Sequence, residues 1–171
     1  QKMLPVTSPY SGETLDEVPV ASDGQVEAAL SAAVEGAKTM AALTAHERMS
    51  ILHRAADLFA GHSDDLAKTL SLEQGKPITE ARGEVGRVPD LLRLCAFEGS
   101  QLRGETLPLD AQAATSGKMG FTLREPCGIV VAITPFNYPV LLALHKLGPA
   151  LSVGNAVILK PSGYTPLTRE C

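Results

Sequence analysis

From Gln25 onward, apolar residues recur at three- and four-residue steps. Val26, Ala29, Leu30, Ala33, Val34, Ala37 and Met40 fall on one face of a helix. Thr44-Ala45-His46-Glu47 is a capping-box pattern, in which Thr44 accepts from the Glu47 N–H and Glu47 reaches back. It opens a second helix with an apolar face of Met49, Leu52, Ala56 and Phe59, ending at Gly61. Ser63-Asp64-Asp65 reads as the cap of a third, shorter helix that holds Leu66 and Leu70 inside and is stopped by Gly75 and Pro77. Ala81, Val85, Val88, Leu92 and Cys95 form the stripe of a long helical segment from Ile78 to about Leu102. Pro89 lacks an N–H and predicts a kink or a restart within it.

The helical period is absent at both flanks of this region. Before Asp23 the chain is rich in Pro, Ser and Gly, and Ser8-Pro9-Tyr10-Ser11-Gly12 predicts a turn between two short extended pieces. After Gly104, residues 105–109 and 119–124 read as strands of a hairpin-like excursion. Gly128-Ile129-Val130-Val131-Ala132-Ile133 is then an uninterrupted, β-branched apolar run, the pattern of a strand buried on both faces. Thr134-Pro135-Phe136-Asn137-Tyr138-Pro139 breaks it. Pro139 suits the first turn of a helix that continues through Leu141, Leu144, Leu147 and Leu151. After Gly154-Asn155, Ala156-Val157-Ile158-Leu159 predicts a second buried strand. Strand, crossover helix and strand make a parallel βαβ unit.

That topology places ligands beyond the carboxyl ends of the strands. The loop over residues 134–139 and the Lys160-Pro161-Ser162-Gly163 loop therefore share one edge. The first offers a side-chain amide and a helix N-terminus; the second offers a cation and an open turn. Each has an ordinary alternative: an Asn before a helix is commonly a cap, and a Lys after a strand is commonly a solvated charge. Neither G-x-G-x-x-G nor G-x-x-x-x-G-K-[ST] is present.

Composition narrows the classes. The 171 residues are 44% hydrophobic with a formal net charge of -4, so a globular core is expected, without the basic surface of a nucleic-acid binder. No apolar run approaches a membrane span and the first residues do not form a signal peptide, which predicts a cytoplasmic protein with no membrane partner. Cys95, Cys127 and Cys171 lack metal-ligand spacing and suit a reducing compartment, so no metal site is expected. Cys95 lies on an apolar helix face and Cys127 at the start of a buried strand, where structural thiols sit.

Ile133-Thr134-Pro135-Phe136-Asn137-Tyr138-Pro139, followed by Gly154-Asn155-Ala156-Val157-Ile158-Leu159-Lys160-Pro161-Ser162, resembles the aldehyde dehydrogenase superfamily. So do Ser8-Pro9-Tyr10-Ser11-Gly12, Glu73-Gln74-Gly75-Lys76-Pro77 and Arg124-Glu125-Pro126-Cys127-Gly128, in this order and spacing over essentially the whole chain. The resemblance implies an α/β fold: N-terminal helices, the start of a doubly wound, Rossmann-like parallel sheet, and a β-hairpin excursion for oligomerisation. In these terms residues 1–104 are the N-terminal arm and helices of the cofactor-binding domain. Residues 105–126 are the hairpin, and 127–171 the first βαβ unit of the sheet.

The resemblance also implies a mechanism. A Cys thiolate attacks a small-molecule aldehyde, hydride passes from the tetrahedral oxyanion to NAD or NADP, and water hydrolyses the thioester to the carboxylic acid. Asn137 matches the oxyanion-stabilising Asn, and Lys160 the Lys that holds the adenosine ribose. Ile133, Thr134, Pro135 and Phe136 match the loop along which the cofactor lies; Ser162 and Gly163 belong to its second loop. Tyr138 and Leu142 match substrate-tunnel positions, and Lys146 a helix Lys near the water path, or else a surface charge. Many NAD-preferring relatives carry Glu where Gly163 stands, so room for a 2′-phosphate and tolerance of NADP are expected. Phe136 and His145-Lys146 resemble the lactaldehyde, glyceraldehyde-phosphate and semialdehyde branches.

The family's nucleophile, general-base Glu and glycine-containing cofactor turn lie further along a much longer chain. Cys171 stands too early to match that nucleophile. The chain is thus expected to be the N-terminal part of a homodimeric or homotetrameric enzyme and to be inactive alone. A non-catalytic cofactor-binding or assembly module is the alternative.

Overall fold

The computed structural model describes residues 2–169. Strands β1 (Met3–Thr7) and β2 (Thr14–Pro19) pair antiparallel around the expected turn, where the Gly12 N–H donates to the Ser8 carbonyl at 2.8 Å. Five helices follow: α1 (Asp23–Ala42), α2 (Ala45–Gly61), α3 (Ser63–Gln74), α4 (Ile78–Val85) and α5 (Val88–Ser100). A short hairpin, β3 (Thr106–Leu107) with β4 (Gly120–Phe121), precedes β5 (Ile129–Ile133), α6 (Pro139–Ser152) and β6 (Ala156–Lys160). β5 and β6 pair parallel, Ile129 opposite Ala156 through Ile133 opposite Lys160. The βαβ unit is therefore as expected.

Local chemistry explains most boundaries. The Thr44 hydroxyl accepts from the Glu47 N–H at 3.2 Å, and the Glu47 carboxylate accepts from the Thr44 N–H at 2.8 Å. These bonds hold the Glu47 carboxyl below its usual range; the backbone bond from Thr44 is the larger cause. Ser22 and Gln25 build a second capping box at the start of α1. Gly75 ends α3 with φ +79, a left-handed conformation that favours glycine. The long segment breaks between α4 and α5, and Pro89 sits in the first turn of α5, where its missing N–H costs no helical bond.

Four sequence expectations are corrected. Ser63 does not cap α3. The helix starts at Ser63 with His62 as its capping residue and no side-chain cap, because only His62 separates it from α2 and its carbonyl takes the Leu66 N–H at 3.0 Å. The α1 stripe is not the buried one: Val26, Leu30 and Val34 are exposed, and Ala33 alone is buried. The helix meets β6 through small residues, Gly36 standing over Ala156, and small residues let backbones approach where Val and Leu would hold them apart. β5 is not covered on both sides. Side chains alternate along a strand, so Ala132 is fully buried, while Val131 and Ile133 face away at 56% and 63% exposure. β6 likewise buries only Ala156. Finally, β3 and β4 pair over two residues each, shorter than expected, with two 3-10 turns between them.

The core joins five helices. Leu52 and Ala56 of α2, Leu66 and Leu70 of α3, Ala81 and Val85 of α4, and Val88, Leu92 and Ala96 of α5 enclose Val140, Leu141 and Leu144 of α6. Each buried aliphatic side chain contributes about 1.5–3 kcal/mol. The exposed Arg93–Asp57 bridge between α5 and α2, at 2.8 Å, contributes about 0–1 kcal/mol, so apolar burial sets the arrangement.

α5 and α6 approach closely through glycines. A Cβ on Gly99 would lie 2.5 Å from the Ser152 Cβ, and one on Gly148 would lie 2.8 Å from the Cys95 sulfur. Cys95 is thus packed against the site helix, and burial pushes its thiol up from the usual range. Gly99→Ala is expected to destabilise the protein by about 1–3 kcal/mol despite alanine's better helix propensity, because the added carbon overpacks the crossing. Urea denaturation of the variant measures this; unchanged stability would show that α5 and α6 can part freely.

Candidate active site

Five residues of parallel pairing fix one sheet edge. Ile133 stands opposite Lys160, and the Thr134 N–H donates to the Lys160 carbonyl at 3.2 Å. The loops after β5 and β6 leave this edge side by side. Phe136 and Tyr164 join them, with ring centroids 5.9 Å apart and planes at 74°, the edge-to-face geometry that aromatic quadrupoles favour.

The first loop is held by its main chain. Thr134 is buried. The Asn137 carbonyl accepts from the Lys76 ammonium at 3.1 Å and the Gln74 side-chain amide at 3.3 Å. The Asn137 side-chain amide is exposed and hydrogen-bonds to no described residue. Tyr138, not Asn137, occupies the capping position of α6, and no side chain caps that helix from within the loop. Asn137 is therefore not the cap that an Asn before a helix commonly is.

The cap comes from a distant residue. Glu84 of α4, fully buried, accepts the Val140 N–H at 3.0 Å and the Leu141 N–H at 3.1 Å on one oxygen; its other oxygen takes Lys76 at 2.6 Å. A buried carboxylate is costly unless charge and lone pairs are both met. Here an ammonium, two N–H donors and the positive end of a helix dipole meet them. The Lys76 nitrogen also lies 4.3 Å from the centre of the Tyr138 ring, a cation–π contact. Glu73 treats the other segment in the same way. It accepts from the Leu167 N–H at 2.8 Å, the Thr168 N–H at 3.1 Å and the Thr168 hydroxyl at 2.6 Å. Burial nevertheless pushes its carboxyl above the ordinary range, outweighing the bonds from Thr168 and Leu167.

The second loop is more open. Lys160 is exposed, donates only to the Pro161 carbonyl at 3.3 Å, and makes no ion pair with a described carboxylate. The Ser162 hydroxyl accepts the Tyr164 N–H at 3.1 Å. Gly163 is exposed, and a Cβ there would make an ordinary contact with Leu4 at 3.5 Å. Between the loops lies a cleft of about 500 Å³ lined by Phe136, Tyr164, Gln74 and Thr165, among others. Gln74 Oε1 and Thr165 Oγ1, on residues that line this cleft, are buried with no partner among the described residues. Lys160 and the Asn137 amide lie on the same sheet edge but do not line this cleft.

The structure brings Thr134, Pro135, Phe136, Asn137, Tyr138, Lys160, Ser162 and Gly163 to this edge, with Ile133 at the strand end. Leu142 is half-buried in the first turn of α6, its N–H donating to the Tyr138 carbonyl at 3.0 Å. Lys146 is exposed two turns along the helix, about 10 Å beyond that edge. Cys127 precedes β5 at the opposite end of the sheet and is exposed, not the core thiol expected, because the strand begins only at Ile129; its sulfur lies 3.2 Å from Asn155 Oδ1, and Cys171 lies outside the described residues. Sequence reasoning assigned no role to Gln74, Lys76 or Glu84. A signal for Glu84 existed: it falls on the same helix face as Ala81, Val85 and Val88, a charge within an apolar stripe. Among the described residues no His, Cys, Asp or Glu group could hold a metal, and no helix is long and apolar enough to cross a membrane.

Comparison with known proteins shows the family. The chain is 38% identical over 164 residues to 3-sulfolactaldehyde dehydrogenase of Priestia aryabhattai, covering 96% of this chain and 34% of that protein. It is 37% identical over 165 residues to the NADP(+) succinate-semialdehyde dehydrogenase of Escherichia coli, covering 96% and 33%. The crystal structure of aldehyde dehydrogenase 21 from Physcomitrella patens, in complex with the reaction product succinate, superposes with a TM-score of 0.94 at 38% identity, covering 99% of this chain and 35% of that one. An NADP-dependent glyceraldehyde-3-phosphate dehydrogenase from Bacillus halodurans, complexed with NADP, gives 0.94 at 37%, covering 98% and 35%. The chain spans about a third of the length of these relatives. With all of residues 1–171 matching its family pattern, the chain belongs to the aldehyde dehydrogenase family.

Proposed function

We propose that this chain supplies the oxyanion donor and part of the dinucleotide seat of an NAD(P)-dependent aldehyde dehydrogenase. The observation that carries this reading is Asn137: its carbonyl is fixed by two donors while its side-chain amide, exposed at the sheet edge, bonds to no described residue. An amide held in advance costs no reorganisation when negative charge develops on an aldehyde oxygen. Tyr138 and Leu142 would line the aldehyde's path. The cofactor would lie along the second loop, where Lys160 has no carboxylate partner among the described residues and can donate to ribose hydroxyls. Thr134, Pro135 and Phe136 would bound its path beyond Ile133, with Ser162 and Gly163 opposite. When bound, the dinucleotide supplies the hydride acceptor.

The nucleophilic thiol and the general base are not assigned to Cys95 or Cys127, which lie away from this edge. The isolated chain of 18.0 kDa is therefore expected to be inactive. The β3–β4 hairpin, which exposes Met119, Phe121 and Leu123, would pair across subunits of a dimer or tetramer; a monomeric mass by light scattering of the full enzyme would exclude that.

In the full enzyme, Asn137→Ala is expected to lower kcat by about 10²–10³-fold, the cost of losing one oxyanion donor, with little change in aldehyde KM. Steady-state kinetics test this, and a kcat near wild type would remove Asn137 from the reaction. The cofactor preference has its own test. Gly163 lacks a carboxylate that would repel a 2′-phosphate, and the space there admits a side chain. Gly163→Glu is expected to weaken NADP by roughly fivefold or more and to spare NAD, since unit charges 4 Å apart repel by about 1 kcal/mol even in water. Equal cofactor affinities before and after the change would refute this account of the second loop.

A further inference from the structure

We infer that Lys76 is a positioning residue for the oxyanion donor, acting through the main chain of Asn137; this rests on the role proposed for the Asn137 amide. Two features of the structure meet at its ammonium. The nitrogen is anchored by Glu84 at 2.6 Å, a carboxylate that also holds the first two free N–H groups of α6. The same nitrogen donates to the Asn137 carbonyl at 3.1 Å and lies over the Tyr138 ring at 4.3 Å. The Lys76 side chain is only 8% exposed, so its position is set by packing and not by solvent.

Asn137 needs such a device. It lies before the helix begins, in a loop bounded by Pro135 and Pro139, so no helical bond fixes it. Among the described residues its side chain has no partner to orient it. Gripping the carbonyl fixes the peptide plane, and with it the direction in which the Cα–Cβ bond leaves the chain. Gln74 donates to the same oxygen at 3.3 Å and shares this task from the exposed side. A donor misplaced by about 1 Å loses on the order of 10²-fold in rate, so the grip acts on kcat and not on ground-state binding.

A double-mutant cycle in the full enzyme tests the inference. Lys76→Met keeps the apolar stem and removes the donor. Because it strands the Glu84 charge, the paired change Lys76→Met/Glu84→Gln is made alongside it; the amide that Glu84→Gln introduces retains an oxygen for the Val140 and Leu141 N–H groups. Either variant is expected to lower kcat by about 10²-fold, with the KM values for aldehyde and cofactor shifted by less than about twofold. In an Asn137→Ala background the same change is expected to lower kcat by less than about twofold, because its target is gone. Should neither variant fold, Gln74→Met must show the same dependence on Asn137 at smaller size. An equal loss in both backgrounds would overturn the inference, as would an unchanged kcat with Asn137 present. Asn137→Ala alone decides the underlying role: full activity there removes the oxyanion reading, whereas a large loss with additive Lys76 effects removes only the positioning one.

Discussion

Glu84 carries a charge in the interior of the molecule, and the site exists in its present form because that charge is satisfied. A buried, lone carboxylate would cost several kcal/mol. Its partners are drawn from two places distant in sequence: the ammonium of Lys76, eight residues before it, and the first N–H groups of α6, more than fifty residues after it. Meeting the needs of one carboxylate therefore fixes α4, the Gly75-Lys76-Pro77 turn and the start of α6 relative to each other. Glu73 binds the segment at Leu167 and Thr168 in the same manner. Two acidic residues flanking a single turn hold the chain where it leaves each loop of the sheet edge.

The elements that the sequence announces are those governed by local rules. Thr44 and Glu47 are three residues apart and cap their own helix, so the pattern suffices. Pro89 restarts a helix by its own missing N–H. The apolar runs at Ile129 and Ala156 predict parallel strands because a crossover of that length allows little else. Asn137, Lys160 and their neighbours are placed at one edge by that topology alone. What the sequence does not disclose depends on partners far along the chain. The α1 stripe misleads because burial there is chosen by close approach to the sheet, which favours Ala33 and Gly36 over Val and Leu. Ser63 misleads because His62, the one residue between α2 and α3, takes the capping position. Glu84 is visible as a charge out of place, yet its partners are not.

The same contrast separates the two loops. The first is fixed by charged and polar contacts to its backbone, and its side chains Phe136 and Asn137 are left outward. The second has fewer ties and presents an exposed Lys160 and an open Gly163. This division follows from the positions of the buried carboxylates and their backbone partners.

The glycine crossings between α5 and α6 bear on motion. Ser152 fits over Gly99 and Cys95 over Gly148, two interlocked steps along one helix pair. A helix held by two such steps cannot slip along its neighbour by one turn, since each step would drive a side chain into a backbone without space for it. α6 therefore behaves as a fixed bench beneath the sheet edge. The exposed rings of Phe136 and Tyr164 above it are not so constrained: their contact can open by side-chain rotation alone, on a timescale of picoseconds to nanoseconds. The helix stays still, and the freedom at this edge belongs to two aromatic rings.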